Sequence, residues 1–172
     1  PNVELTIATG TNDEILRLLK TNQVDLALLS LPFQDEDLEI HPALTEEMVL
    51  VMEEQHPLST RDRITFKDLT PYTFIHFERG SNTRKLLDEI FQEEKIHFSN
   101  NMELENVEIT KPLVEIGLGI SIIPYPAVVK DGENKSLYYR RIQERRIYRE
   151  LGWVSLKSDY TIRALKQLLG LF

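Results

Sequence analysis

The chain has 172 residues, 41% hydrophobic and 28% charged, with a net charge of −8 and no cysteine. That length suffices for one domain or two small lobes around a packed core. The acidic balance argues against a chain that itself grips nucleic acid, which needs a basic face against phosphates. The missing cysteines exclude a disulfide framework and thiolate chemistry, and no apolar run approaches the roughly 18–20 residues of a membrane span.

In chain order, residues 3–9 alternate as a strand does and end at Gly10. Thr11, Asn12 or Asp13 can cap the next helix, in which Ile15, Leu16, Leu18 and Leu19 form an apolar stripe. Residues 24–31 are an apolar run of parallel-strand type, stopped by Pro32. Residues 38–44 and 48–52 read as two further strands, 56–59 as a loop and 65–69 as a short helical turn. A second cycle begins near Pro71 with a strand over 72–77, a polar turn over 78–82 and a helix carrying Leu86, Leu87, Ile90 and Phe91. A short strand over 102–105 and a helix over 107–116, interrupted by Pro112, come next.

Residues 114–124 then run from helix end through Gly117-Leu118-Gly119 into the apolar residues 120–123, stopping at Pro124. Glycine supplies the left-handed turn that ends the helix, and Gly119 lets the backbone pass close to a neighbour. A phosphate-gripping reading of Gly-x-Gly is weak, because these glycines end a helix rather than open one. Late strands over 137–142 and 147–156 flank the charged turn 143–146, and residues 162–171 read as a closing amphipathic helix. Alternating strands and helices with buried strands predict an α/β fold, its sheet mostly parallel, in two lobes.

In open α/β sheets ligands bind beyond the carboxyl ends of the strands. Those ends are Thr9-Gly10-Thr11-Asn12, Ser30-Leu31-Pro32, the turn Glu78-Arg79-Gly80-Ser81 after Phe77, and Glu105-Asn106. Hydroxyls, amides and helix N-terminal N–H groups suit a small carboxylate or phosphate, and Arg79 and Arg84 can pair with an anion. Thr11, Asn12, Ser81 and Asn82 are equally natural helix caps, and a solvated surface role for the two arginines outweighs ligand contact.

Other constellations are thin. The four histidines, His41, His56, His76 and His97, show no metal-ligand spacing, and only His76 is placed near a cleft. Asp35-Glu36-Asp37 lacks the calcium-loop pattern and reads as a solvated turn. Arg140-Arg141 with Arg145-Arg146 reads as a hairpin end or a dimer salt-bridge partner. Asn134-Lys135-Ser136 matches a glycosylation acceptor without a secretory context. No nucleophile elbow or nucleophile–base pair is found, so no catalysis, metal or cofactor is expected.

Several motifs stand in an order that carries a family resemblance: Gly10-Thr11-Asn12 before a leucine-rich helix, then Val24-Asp25-Leu26-Ala27-Leu28. Residues 46–51 lead to His56-Pro57-Leu58, and Phe66-Lys67-Asp68-Leu69 leads to Phe74-Ile75. Residues 113–124, with the form V-x-x-G-x-G-I-x-x-x-P, complete the set. Weak singly, in register they resemble the effector-binding (co-inducer) domain of LysR-type bacterial transcriptional regulators over all 172 residues.

The resemblance implies two Rossmann-like lobes with mixed, mostly parallel sheets, joined by crossover strands as in type II periplasmic binding proteins. Lobe I would be residues 1–71 with 151–172 and lobe II residues 72–150, with a small-molecule site between them. Positions matching Thr11, Ser30 and the loop at Glu105-Asn106 contact the effector in family members, here an organic acid or other anionic metabolite. Some members carry arginine where Ser30 stands, which would make this site less cationic. The resemblance further implies a cytoplasmic homodimer, tetrameric at full length, that reaches DNA only through an N-terminal domain absent from this chain and touches no membrane. Helices over 13–20 and 83–95 are the candidate dimer seam, although a leucine stripe is core first.

The chain opens at Pro1 without methionine or a signal-like segment and reads as a piece of something longer. Residues 1–5 resemble the family's second strand, so the first strand and helix, with part of the cleft, are expected to lie outside it. Two other classes stay open: a solute-binding protein of the same lobed fold, and an enzyme such as a deaminase or dehydratase of small metabolites.

Overall fold

In the computed structural model, which describes residues 5–129 and 137–157, the elements are in chain order α1 (Asn12–Lys20), β1 (Ala27–Ser30), β2 (Leu38–Glu53), a 3-10 turn (Phe66–Leu69), β3 (Phe74–Phe77), α2 (Asn82–Glu93), β4 (Asn101–Leu104), α3 (Val107–Glu115), β5 (Ser121–Pro124), α4 (Tyr125–Val129), β6 (Leu137–Arg140) and β7 (Ile147–Leu156). They fall into two units. Unit 1 takes the described residues of Pro1–Thr45, Gly80–Asn82 and Glu150–Phe172, and unit 2 those of Glu46–Arg79 and Thr83–Arg149.

Unit 1 buries Ile15 and Leu19 of α1 with Ala27, Leu29, Leu38 and Val154. The two helix residues are four apart and share a face, as an amphipathic helix requires. Its strand β1 pairs antiparallel with β7, Ala27 opposite Val154 and Ser30 opposite Leu151.

Unit 2 has the larger core. Met48–Met52 of β2 are wholly buried, pairing antiparallel with β5 (Val49 opposite Ile123) and with β6 (Val51 opposite Tyr139). β3 and β4 run parallel, Phe77 opposite Leu104, and Phe74 makes a further parallel bridge to Ile120. Phe74 stacks on Phe98, ring centroids 4.4 Å apart, with the edge of Phe91 at 5.1 Å. Such aromatic contacts add to the burial of apolar area.

Several expectations need correction. Residues 5–9 form no strand, and Leu5 and Ile7 are exposed; among the described residues nothing pairs with this segment, and an unpaired strand has no ladder to hold it. The two strands expected over 38–44 and 48–52 are one 16-residue strand that runs through Pro42, since proline removes a donor without forbidding extended backbone. The sheets are mixed, as the α/β reading has them, and the long strands β2 and β7 are the ones with antiparallel partners. The chain leaves unit 1 at Thr45 rather than after Pro71, because Met48–Met52 and the 3-10 turn belong to the core around β5. The expected helix over 162–171 and the Asn134-Lys135-Ser136 triplet lie outside the described residues. Among the described residues no helix is long and apolar enough to cross a membrane.

Candidate functional site

Thr11 settles which residue caps α1. Its hydroxyl accepts the Glu14 N–H at 3.2 Å while the Glu14 carboxylate accepts the Thr11 N–H at 2.8 Å, a reciprocal capping box. That backbone N–H, and after it the Thr11 hydroxyl, hold the Glu14 carboxyl below its usual range. Thr9 and Gly10 precede the cap as exposed, irregular backbone.

The turn after β1 is tied by two asparagines. Asn12 donates its side-chain amide to the Ser30 carbonyl at 2.9 Å, and Asn82 donates to the same carbonyl at 2.6 Å and to the Pro32 carbonyl at 3.2 Å. A carbonyl oxygen has two lone pairs, so these amides fill the capacity of Ser30. The Leu31 N–H donates to the Glu150 carbonyl at 2.8 Å, and the Leu31–Pro32 peptide is cis. Unit 1 thus gathers Thr9–Asn12, Ser30–Pro32 and Gly80–Asn82. Sequence reasoning treated Asn82 only as a cap; its carbonyl partners lie 52 and 50 residues away, where no local pattern points.

In unit 2 the parallel pairing of β3 and β4 brings two more predicted turns to one edge. Phe77 lies opposite Leu104, so Glu78-Arg79 and Glu105-Asn106 leave adjacent strand ends. The Glu78 N–H extends the ladder to the Leu104 carbonyl at 3.0 Å. Asn106 caps α3, its side-chain oxygen accepting the Ile109 N–H at 3.0 Å. Glu105 and Asn106 are exposed. A parallel pair presents both carboxyl ends on one side, which is why this edge can serve a ligand.

The two arginines divide. Arg79 donates its backbone N–H to Glu103 at 2.8 Å, while its side chain is 85% exposed with Nε 3.5 Å from the same carboxylate. The Arg84 side chain is only 14% exposed. Its Nε donates to both Asp88 oxygens at 2.8 Å, and Nη1 donates to the Phe77 carbonyl at 2.9 Å and Glu103 at 3.4 Å. A solvated role is therefore wrong for Arg84, which braces the end of β3. Its spacing of four from Asp88 was the local signal for that pair. The Glu103 carboxyl is held below its usual range by the Arg79 N–H first and by the Arg84 and Arg79 charges after it.

Among the described residues no cluster of three His, Cys, Asp or Glu side chains can hold a metal ion. Asp35 accepts the Asp37 N–H at 3.1 Å and pairs with Lys20 at 2.5 Å, which makes this segment a turn. His56 accepts the Leu58 N–H on Nδ1 at 3.2 Å. His76 lies 2.8 Å through Nε2 from the Asn101 side-chain oxygen. Asn101 donates its amide to the Phe98 carbonyl, so its oxygen accepts the His76 proton. Burial holds both imidazoles below their usual pKa. The arginine cluster is spent within the chain: Arg141 and Arg146 on Glu47, Arg145 on Glu93, and Arg140 on the Ser59 carbonyl.

Comparison with known proteins follows the same lines. The family model described as LysR substrate binding domain matches residues 1–172. The HTH-type transcriptional activator CmpR of Synechocystis sp. strain PCC 6803 is 31% identical over 137 residues, covering 80% of this chain and 45% of CmpR. The HTH-type transcriptional regulator CysL of Bacillus subtilis strain 168 is 25% identical over 182 residues, covering 96% of this chain and 61% of CysL. The chain spans about half the length of the curated relatives it matches. Among solved structures, the effector-binding domain of QuiR in complex with shikimate superposes with a TM-score of 0.83 at 30% identity, covering 94% of this chain and 76% of that one. The Synechocystis PCC6803 CcmR regulatory domain in complex with 2-PG gives a TM-score of 0.83 at 25% identity, covering 94% and 77%.

Proposed function

Because this chain belongs to the LysR substrate-binding-domain family, we propose that it senses a small anionic metabolite on behalf of a transcriptional regulator. The observation that carries this is the likeness, over 94% of the chain, to effector-binding and regulatory domains described in complex with shikimate and with 2-PG. The local chemistry agrees with it. Unit 1 offers the capped N-terminus of α1 beside the Ser30–Pro32 turn. Unit 2 offers the capped N-terminus of α3 and the exposed Arg79 guanidinium. Helix N-terminal N–H groups and a guanidinium both favour a carboxylate or phosphate.

In this reading Thr11, Ser30, Arg79, Glu105 and Asn106 contact the effector, while Arg84 and Asn82 hold the turns in place. The effector acts by favouring one conformational state over another, as any allosteric ligand must. In this reading the domain pairs as a homodimer and the full-length protein is a cytoplasmic tetramer, reaching DNA only through a domain outside this chain. In the seam candidates α1 and α2, Leu19, Leu87 and Ile90 face the core, so pairing would use the exposed outer faces, with Arg17 on one and Glu89 on the other. The relatives named here are transcriptional regulators, and neither the solute-transport nor the enzyme reading draws support from them.

Calorimetric titration with shikimate, 2-PG and a panel of small carboxylates and phosphate monoesters tests the reading. Saturable binding of one of them, weakened by Arg79→Ala, is expected. Heats no larger than dilution across the panel would remove it.

A further inference from the structure

The paired strand ends of unit 2 hold a carboxylate and a guanidinium side by side. Glu103, last but one in β4, stands opposite His76, one step before the Phe77–Leu104 pair at the end of the ladder. Its Oε1 accepts the Arg79 N–H at 2.8 Å, while Oε2 lies 3.5 Å from Arg79 Nε and 3.4 Å from Arg84 Nη1. The Arg79 side chain is 85% exposed and that of Glu103 41%, so both are open to a solute.

An ionised carboxylate offers about four acceptor sites and has no proton to give. The Arg79 N–H first, and the Arg84 and Arg79 charges after it, keep Glu103 ionised. Yet the contact between the Arg79 and Glu103 side chains is longer than a good hydrogen bond. Each group therefore has bonding capacity left, and of opposite kind. A ligand with one acid group and a hydroxyl close to it satisfies both, the acid accepting from Arg79 and the hydroxyl donating to Glu103. A phosphate dianion satisfies Arg79 but sets its charge against Glu103, and like charges brought together cost affinity. The surroundings do not offset this. Glu78, Asp88, Glu103 and Glu105 outnumber Arg79, Arg84 and Lys85, and Arg84 already serves Asp88 and the Phe77 carbonyl.

We infer that the effector is a hydroxy monocarboxylic acid, its acid on Arg79 and its hydroxyl on Glu103, and that Glu103 selects it over phosphates. This role for Glu103 rests on the effector reading and narrows it.

NMR titration of the Arg79 backbone amide in the intact chain tests it, with acetate, glycolate and methyl phosphate at pH 7.5. Glycolate differs from acetate by one hydroxyl, and a phosphate monoester is a dianion above its second pKa of about 6. In wild type, glycolate should bind about tenfold more tightly than acetate, as a hydrogen bond to a charged acceptor allows, and methyl phosphate no more tightly than acetate. Glu103→Gln removes the charge and keeps an acceptor, so methyl phosphate should gain about fivefold. Glu103→Leu removes the acceptor as well and should bring glycolate level with acetate.

Equal binding of glycolate and acetate by wild type would overturn the assignment, and so would methyl phosphate binding more tightly than glycolate. A Glu103→Leu variant that keeps the wild-type preference would overturn it too. In each of these cases an anion still binds at Arg79 and the broader effector reading survives. If none of the three moves the Arg79 amide, the reading of this edge as an anion site fails and the role of Glu103 falls with it. Should Glu103→Leu not fold, methyl phosphate binding to Glu103→Gln decides, and unchanged affinity there overturns the assignment.

Discussion

A Cβ on Gly119 would stand 2.6 Å from the carbonyl oxygen of Thr73, and that oxygen accepts the Ile120 N–H at 2.9 Å. The glycine is what lets the segment entering β5 lie against the segment entering β3. Gly119→Ala must therefore push backbone against backbone, at a cost of about 1–3 kcal/mol. At Gly80 the space is open and only the positive φ opposes a side chain, so Gly80→Ala should cost about 1 kcal/mol. Urea denaturation of the two variants should rank Gly119→Ala as the less stable; the reverse order would refute the close-approach account.

The turn at Ser30–Pro32 depends on a donor at position 82. Asn82→Ala leaves the carbonyls of Ser30 and Pro32 short of a partner and should lower stability by about 1–2 kcal/mol. Asn82→Asp should be worse at neutral pH, since it turns a carboxylate toward two carbonyl oxygens at the distances the amide now occupies. If denaturation midpoints show the aspartate variant as stable as wild type, the amide is not what fixes this turn.

Arg79 and Arg84 should separate binding from folding. Arg84→Met loses contacts to Asp88, Glu103 and the Phe77 carbonyl, and a loss of about 1–3 kcal/mol is expected. Arg79→Ala, at an exposed side chain, should stay within about 0.5 kcal/mol of wild type while weakening the bound anion. Thermal unfolding together with calorimetric titration distinguishes the two; equal stability losses would contradict the division of roles.

His76 makes stability depend on pH in a defined direction. Burial among Phe74, Phe91 and Phe98 favours its neutral form, and its Nδ1 is buried without a hydrogen-bond partner among the described residues. Arg84 across from it opposes protonation, while the Asn101 bond, Asp88 and Glu103 favour it without overcoming burial. With its folded pKa below the unfolded value of about 6.5, the stabilising contribution is whole above pH 6.5 and is lost as pH falls through the folded pKa. His56 shifts the same way through burial. Urea midpoints between pH 7.5 and 5 should therefore fall less steeply in His76→Gln than in wild type; an identical slope would exclude His76 as a source.

Local rules carried a large part of this protein. The capping box at Thr11, the 3-10 turn at Phe66–Leu69 and the glycine end of α3, where Gly117 has φ +76°, are made by residues three or four apart. Their physics is contained in the spacing, and the order of the motifs carried the family. Strand continuity was less legible, because Pro42 breaks a hydrogen-bond pattern without breaking extended backbone.

By itself, then, the sequence determined the α/β alternation, the two constrained glycines and the turns where a ligand is to be sought, and it narrowed the cap of α1 to three neighbouring residues. Only the tertiary structure decided that β1 meets β7, that Asn82 reaches Ser30, that Arg84 is a brace rather than a free cation, and that Glu47 takes up Arg141 and Arg146 from 94 and 99 residues away. The reason is that spacing specifies a residue's neighbours along one helix or turn, whereas the partner of a charge or an amide across the fold is set by which strands pair and in what register. Until that pairing exists, an arginine that will be braced and one that will stay free look the same.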